Sequence, residues 1–259
     1  MRTILVPAIL LAGALTASAL EPVTFEWKGE MQPGQTLEIW NINGSIKAEA
    51  AVGSEAEISV QIIGTKPDPS SILIDVAQYS GGILACTIYK GLSSPEYCLP
   101  GLEPSLNLNN SNIRVEYSIK APAGVKLVAK TVNGRITADL PASEIVANAV
   151  NGQMAVSTGM PVTANLVNGT ILASLEGENW TGARVLHTVN GSIDGEVPQT
   201  IDADVKASTV FGFITTDFPI QVQRGFVGSS LKGSVNGGGP KLEMTTVNGS
   251  IHLRKALHE

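Results

Sequence analysis

The sequence has 259 residues, of which 43% are hydrophobic and 15% charged, and its formal net charge at pH 7 is −6. An acidic chain does not offer the basic surface that contact with a phosphate backbone requires, so nucleic acid is excluded as a class of partner. The length is ample for a hydrophobic core and suits one all-β domain or two closely joined ones. We find no convincing helix of three turns.

Residues 1–19 have the features of a secretory signal peptide. Arg2 gives a positive start, residues 4–15 form an apolar run, and Ala17-Ser18-Ala19 is a small-residue cleavage site. The run is shorter than the roughly 20 residues that a membrane-spanning helix needs, and no later stretch is long enough either. Cleavage leaves 16 basic and 23 acidic residues, a net charge of −7. We therefore expect an exported protein, periplasmic or extracellular, without a membrane span.

The N-terminal region, residues 20–124, alternates apolar and polar residues in the manner of strands. This pattern opens at residues 23–27, and a β segment inserted between residues 64 and 122 has strand patterns of its own. We place the end of the region at residue 124 and expect it to pack with residues 125–259 as one domain.

The only two cysteines of the chain, Cys86 and Cys98, lie within this insertion. In an exported chain an isolated pair is most simply a disulfide. The eleven residues between them are rich in Gly, Ser and Pro, whereas a redox-active pair usually has two residues between its cysteines. Closing a loop of this length contributes about 3 kcal/mol in the chain-entropy model. We predict a structural bridge, with a redox-active pair as the alternative.

The second region, residues 125–259, repeats a short phrase that is represented by Thr-Val-Asn-Gly-Arg-Ile at residues 131–136. With one earlier copy, the repeats centre on Gly44, Gly134, Gly152, Gly169, Gly191, Gly212, Gly233 and Gly249. From Gly134 onward the mean spacing is about 19 residues. In six of the eight copies Asn precedes Gly, namely Asn43, Asn133, Asn151, Asn168, Asn190 and Asn248, with Phe211 and Lys232 in the other two.

The Asn-Gly pairs are predicted to be tight structural corners, because this dipeptide readily takes positive φ. The residues two before and two after Gly are apolar in all eight copies, as at Val132 and Ile136, so both rows are predicted to face the core. The residue four before Gly is polar in the copies from Lys130 to Thr245, which fits strand alternation up to that point. We interpret the apolar Val as a break of this alternation at the corner.

Pro- and Gly-rich turns such as Val197-Pro198 separate the copies, so each repeat reads as strand, corner, strand, turn. Stacking of such units predicts an all-β fold, a β-solenoid of two-strand repeats. In parallel stacking the asparagines would lie about 4.8 Å apart and form an amide ladder. The alternative takes each Asn-Gly as a type I′ hairpin turn in an antiparallel meander.

Candidates for chemistry are weak. Ser229-Ser230-Leu231-Lys232 matches the S-x-x-K motif, but that chemistry needs a helix and these residues lie in a predicted strand. His187, His252 and His258 lack metal-ligand spacing, and the acidic residues show no calcium-loop pattern. We predict no catalytic residue, no metal site and no cofactor.

The polar row four residues before Gly is the candidate binding surface, because stacking would align it into one stripe suited to an extended macromolecule, either protein or polysaccharide. The alternative is a merely solvated face. The stripe consists of Lys130, Asn148, Asn165, His187, Ser208 and Ser229.

The motifs together resemble the bacterial putative-adhesin family of exported β-repeat proteins, mostly a domain of unknown function. The resemblance rests on the repeated phrase, on Gly34-Gln35-Thr36-Leu37-Glu38-Ile39 before the first corner, on Cys86-Thr87-Ile88-Tyr89 with Cys98-Leu99-Pro100-Gly101, and on the closing Asn248-Gly249-Ser250-Ile251. It implies a β-solenoid-like fold and export, and it supplies no catalytic residue. Phe211 and Lys232 depart from the pattern and would interrupt an asparagine ladder.

The function expected from these observations is a non-enzymatic exported β-repeat scaffold, adhesin-like or associated with the cell envelope. Two alternatives stay open, a polysaccharide-active β-helix enzyme and a periplasmic sensor or partner-binding domain. The absence of a convergent acid and base cluster in the repeats argues against the enzyme. The oligomeric state is left open.

Overall fold

The computed structural model describes residues 23–256, apart from residues 66–67, 92, 95–96, 102–104, 107–111 and 226. The predicted signal peptide, residues 1–19, lies outside the described residues. Pro69–Ser71 form a single turn of 3-10 helix, and 23 strands make up the regular structure of the described part. No helix among the described residues combines the length and apolar character needed to cross a membrane.

The strands of the N-terminal region are β1 (Val23–Glu30), β2 (Thr36–Trp40), β3 (Ile46–Ala50), β4 (Glu55–Ile63), β5 (Ile72–Tyr79), β6 (Gly82–Tyr89), β7 (Ser93–Ser94), β8 (Ser105–Leu106) and β9 (Arg114–Ala121). Those of the repeat region are β10 (Lys126–Asn133), β11 (Ile136–Asp139), β12 (Ile145–Asn151), β13 (Met154–Thr158), β14 (Val162–Asn168), β15 (Ile171–Leu175), β16 (Arg184–Asn190), β17 (Ile193–Val197), β18 (Ala203–Phe211), β19 (Ile214–Thr216), β20 (Val222–Arg224), β21 (Ser229–Val235), β22 (Lys241–Asn248) and β23 (Ile251–Lys255).

These strands form two large mixed sheets that pack on each other as a β-sandwich. The 10-stranded sheet has the order β1-β4-β9-β3-β11-β13-β15-β17-β23-β19, and the 11-stranded sheet has the order β20-β21-β18-β22-β16-β14-β12-β10-β2-β6-β5. A separate small pair joins β7 and β8. Strands β2 and β3 pair with β10 and β11, so both large sheets run through residues 20–124 and 125–259 alike.

The predicted β-solenoid is wrong. A solenoid stacks its strands in parallel and in chain order, but antiparallel pairs close both ends here, for example β1 with β4 and β18 with β21. Chain order is also broken, because β22 lies between β16 and β18. The meander alternative does not describe the repeats either, since β10, β12, β14 and β16 pair in parallel.

The core lies between the two sheets and is built from the inward-facing residues of both. The residue two after each corner Gly is buried, as in Ile136, Ile171 and Ile251, each of which has no exposed surface. Burial of an Ile side chain contributes about 1.5–3 kcal/mol. One continuous cluster of such residues extends from Met31 to Leu253.

The prediction that the residue two before Gly faces the core is wrong at most of the copies, with Leu231 on β21 as a buried exception. Val132, Val150 and Val167 are each 39% exposed. Strand alternation continues up to the Asn, so the buried position is the residue three before Gly, as in Thr131 and Leu166. The bend falls at the Gly itself, where the chain leaves one sheet and enters the other, and no change of phase is needed before it.

Asparagines and glycines stack in columns along these corners. The Nδ2 of Asn151 donates to Oδ1 of Asn133 over 2.8 Å, and the same bond recurs in a series that runs from Asn248 to Asn43. Gly152 takes φ +146°, and a Cβ added there would overlap the carbonyl oxygen of Gly134 in the neighbouring layer. The corner therefore requires Gly both for its conformation and for the close approach of layers.

Candidate functional site

The outer face of the 11-stranded sheet carries a groove of about 580 Å³. Its floor is formed by β10, β12, β14 and β16, and each of these strands pairs on both sides within the sheet. Side chains rather than free backbone groups therefore meet whatever enters the groove.

A polar row runs across the groove floor. Lys130, Asn148, Asn165 and His187 occupy the same register position on four adjacent parallel strands. Their side chains point outward and are half-buried. The Nδ2 of Asn165 donates to Oδ1 of Asn148 over 2.9 Å, so this pair forms a second, shorter amide ladder.

The predicted stripe is brought together in part. Beyond His187 the row continues through Thr245 to Ser208. Ser229 does not join it, because β21 is antiparallel to β18 and Ser229 is buried, with its hydroxyl 3.4 Å from the carbonyl oxygen of Gly212. Thr245, and Trp40 at the other end, stand four residues before a corner Gly as well. The rule of four residues before Gly would therefore also select Thr245 and Trp40 for the stripe.

An apolar row flanks the polar one. It consists of the exposed valines before the corners, and Val132, Val167 and the half-buried Val189 line the groove itself. An amphipathic track results, in which hydrogen-bonding side chains lie beside a β-branched apolar row.

One end of the groove is bounded by a small second core on the outer side of the same sheet. The predicted bridge is present, and the disulfide joins Cys86 on β6 to Cys98 in the following loop. Trp40, Leu84 and Ile88 are buried with the two cysteines. The bridge thus ties Cys98 to this end of the sheet.

The charge in the groove is compensated. Lys130 is the only Lys or Arg among the described residues that line the groove, and its Nζ lies 3.1 Å from Oε1 of Glu38 and 4.8 Å from the centroid of the Trp40 ring. The indole N–H of Trp40 donates to the same Glu38 oxygen over 2.7 Å. The described lining holds no carboxylate.

Buried polar groups behind the groove fix the end of β2. Nδ2 of Asn41 donates to the carbonyl oxygens of Gly44 and Val115, over 3.0 and 2.7 Å. The hydroxyls of Thr87 and Tyr117 lie 2.8 Å apart between the sheets. Burial raises the pKa of Tyr117 above its ordinary value, so this phenol stays neutral and acts as a structural group.

Arg184 is the only charged side chain among the described residues that is fully buried, and its role is structural. It stacks on Trp180 at 4.2 Å, and its guanidinium donates to the carbonyl oxygens of Gly159, Thr181 and Gly182. The side chain thereby holds the longest turn of the repeat region against its neighbour.

The predicted corner residues do not all have one geometry. Gly44, Gly152, Gly169, Gly191 and Gly249 have positive φ. Gly134 and Gly212 also stack in the glycine column, and a Cβ on either would overlap a neighbouring glycine's carbonyl oxygen. Gly233 lies inside β21 opposite Val205, away from any passage between the sheets.

The structure gives no convergent cluster for chemistry among the residues it describes. His187 and His252 lie on different sheets, and His258 is outside the described residues. On β21, Ser229 is buried while Lys232 is exposed, so the S-x-x-K side chains face opposite ways. Within the described ranges no three His, Cys, Asp or Glu side chains group in a way that could hold a metal ion.

A second groove, of about 490 Å³, lies on the outer face of the 10-stranded sheet. Asp139, Asp194, Glu196 and Arg254 line it, together with small residues such as Gly195. Arg254 pairs with Asp194 over 2.9 Å, with the Arg254 side chain exposed and that of Asp194 partly exposed. Exposed pairs of this kind contribute at most about 1 kcal/mol.

Comparison with known proteins identifies a shared fold. No family model matches the sequence, and no curated protein matches it either. The structure of a putative cell adhesion protein from Clostridium sporogenes superposes with a TM-score of 0.52 at 15% identity, over 90% of this chain and 100% of that one. At this identity the likeness shows the fold alone.

Two further solved structures are less similar. A putative adhesin from Bacteroides fragilis has a TM-score of 0.24 at 9% identity, over 92% of this chain and 98% of that one. A putative lipid binding protein from Parabacteroides distasonis has a TM-score of 0.32 at 11% identity, with the same coverage. The name of the Clostridium sporogenes structure is consistent with the putative-adhesin resemblance described above.

Proposed function

We propose that this chain is an exported, non-enzymatic binding protein that holds an extended macromolecule in the groove of the 11-stranded sheet. The observation that carries the proposal is the alignment of Lys130, Asn148, Asn165 and His187 into one row on adjacent parallel strands. Since such strands lie about 4.8 Å apart, the row offers a hydrogen-bonding group at a constant interval. A constant interval suits a partner that is itself a chain.

The dimensions of the groove support this role. Its volume of about 580 Å³ falls within the usual range of ligand-binding clefts, about 300–1,000 Å³. It crosses several strands, whereas a pocket for a small molecule would gather its polar groups around one point. We therefore place one stretch of a longer chain in it, and the name of the structure that shares the fold, a putative cell adhesion protein, is in keeping with a surface-binding role.

The lining also supports binding over turnover. Hydrolysis of a glycosidic bond commonly uses two carboxyl groups on either side of that bond. Among the described residues that line the groove there is no Asp or Glu, and the acidic side chains of the second groove lie on the opposite sheet.

The test compares two pairs of substitutions. Asn165→Ala with His187→Ala removes the centre of the polar row, and Thr137→Ala with Ser174→Ala makes a matched change in the second groove. Binding of full-length protein to separate polysaccharide and protein fractions of the bacterial envelope is measured by biolayer interferometry. We expect the first pair to lower the affinity for one fraction about tenfold or more, because two hydrogen-bonding groups are lost, and the second pair to leave it unchanged.

Equal binding by both double variants would contradict the placement of the partner in this groove. Turnover of a glycan or peptide by purified protein, abolished by a single Asp, Glu or Ser substitution that leaves the melting temperature intact, would contradict the non-enzymatic role.

A further inference from the structure

We infer that the chain held in the groove is a neutral polysaccharide; this inference rests on the function proposed above and names the class of its ligand. A sugar chain carries hydroxyl groups that both donate and accept hydrogen bonds, along with C–H faces that are apolar. The groove presents the complementary pair of surfaces, a polar row beside an apolar one.

The amide groups supply the polar half of this match. The bond between Asn165 and Asn148 uses Nδ2 of the former and Oδ1 of the latter. It does not use Nδ2 of Asn148 or Oδ1 of Asn165, which are a donor and an acceptor of the same row. The mutual bond also limits rotation of both amides, so less conformational entropy is lost when a hydroxyl group binds.

The valines supply the apolar half. Val132 and Val167 are 39% exposed, and they stand two residues along the strand from Lys130 and Asn165. Alternation places each valine on the same outward face as its polar neighbour, roughly 7 Å away. A sugar ring that reaches the amides with its hydroxyls can therefore rest its C–H face on the valine row.

The charges favour an uncharged ligand. Within the described part of the lining, Lys130 is the only basic side chain other than His187, and Lys130 is already paired with Glu38. An acidic polysaccharide or an anionic lipid surface is recognised by clusters of Arg and Lys. The described residues of the groove include no such cluster.

The strand pairing argues against a peptide that adds to a sheet edge. Such recognition needs unpaired backbone N–H and C=O groups, and the floor strands have neighbours on both sides.

Lys130 further distinguishes the ligand classes, because its ammonium covers the face of Trp40. Removal of the Lys130 side chain would expose the indole ring of Trp40 to a sugar. The same change would deprive an anionic ligand of a cation to pair with.

The experiment titrates full-length protein with three probes: an array of neutral six-sugar glucans, mannans, galactans and xylans; a six-sugar oligogalacturonate; and vesicles of phosphatidylcholine with phosphatidylglycerol. Variants are Asn148→Ala with Asn165→Ala, Lys130→Ala, and the control pair Thr137→Ala with Ser174→Ala. We expect at least one neutral oligosaccharide to bind, the asparagine pair to weaken it tenfold or more, and the control pair to leave its affinity unchanged. Lys130→Ala should weaken it less than the asparagine pair does, because the loss of one polar group is offset by exposure of the Trp40 ring. The thermal melting of each variant shows whether the fold is kept.

The outcomes separate the two proposals. If only the oligogalacturonate or the vesicles bind, and Lys130→Ala abolishes that binding, the neutral ligand is refuted while the groove remains a binding site. If no neutral oligosaccharide binds but an envelope protein still loses affinity in the Asn165 and His187 variants, the ligand class is again refuted alone. If no groove substitution changes the binding of any probe or envelope fraction, both proposals fail.

Discussion

The centre of the repeat region and its C-terminal end use the same short phrase but build different surfaces. In the centre, β12, β14 and β16 keep the phrase in parallel register, and asparagines, glycines and the polar row each form a column. At the end, Phe211 replaces the Asn and is 65% exposed, Phe213 is 51% exposed, and β21 turns antiparallel. The comparison shows that the groove depends on strand register. Equivalent outward residues line up across the sheet only where neighbouring strands pair in parallel and in the same register.

The largest expected effect comes from substituting a corner glycine in the centre of the repeat region. Gly152→Val should destabilise the fold by about 3 kcal/mol or more, because the residue has positive φ and its Cβ would overlap the carbonyl oxygen of Gly134. Thermal and urea unfolding measure the loss. Gln153→Val and Gly233→Ala serve as comparisons and should both cost less than Gly152→Val, since Gly233 is not among the glycines with positive φ and a Cβ there would meet Cγ2 of the Ile220 side chain and no backbone carbonyl. Equal losses of stability in Gly152→Val and Gly233→Ala would show that glycine is no more necessary at the central corner than within β21.

A smaller effect concerns the inward threonines of the phrase. Thr188 Oγ1 donates to the carbonyl oxygen of Gly169 in the neighbouring layer over 3.2 Å. Thr188→Val keeps the shape and removes this buried bond, so we expect a loss of about 1–2 kcal/mol in urea unfolding. Thr163→Val, the same change on the outward side of the adjacent strand, should cost under about 0.5 kcal/mol. A similar loss in both variants would mean that the hydroxyl does not stabilise the stack.

The smallest expected effect comes from extending the amide ladder of the central repeats into the C-terminal end of the repeat region. Phe211 pairs with Asn248, which is the last member of the amide ladder. Phe211→Asn would let a new Nδ2 donate to Oδ1 of Asn248, and we expect a gain of about 0.5–1 kcal/mol in the free energy of unfolding. Phe213→Asn, which removes an exposed aromatic off the ladder, is the control and should give no gain. A loss of stability in Phe211→Asn would mean that Phe211 makes an apolar contact that stabilises the fold.

Much of the local structure could be predicted from the sequence, because it depends on residues close together in the chain. The apolar row from Ile46 to Ile251 is buried in every copy, and the isolated Cys86 and Cys98 are bridged. The stripe was predicted from the offset to Gly, which located four side chains that now line one groove. These features follow from alternation and from cysteine count.

The remaining features depend on contacts between distant segments. Nothing local to Asn248 says that β22 inserts beside β16 ahead of β18, although Phe211 could have marked its copy as the end of the ladder. Hydrophobicity alone predicts that the outward valines belong to the core, because an exposed apolar row has the same composition as a buried one. The antiparallel ends that make this a sandwich involve pairs such as Val23 with Ile62, which no repeat unit contains.

The amide ladder also bears on how the protein ages chemically. In a flexible Asn-Gly pair the glycine nitrogen attacks the asparagine side-chain carbonyl, a five-membered imide closes, and ammonia leaves. Here the N–H of Gly152 donates to the carbonyl oxygen of Asn168 over 3.0 Å, and the amide nitrogen of Asn151, the would-be leaving group, is bonded to Asn133. Nucleophile and leaving group are thus both occupied while the corner is folded. A sequence motif that is short-lived in an unfolded chain becomes durable in the stack, which suits a protein expected to work outside the cell.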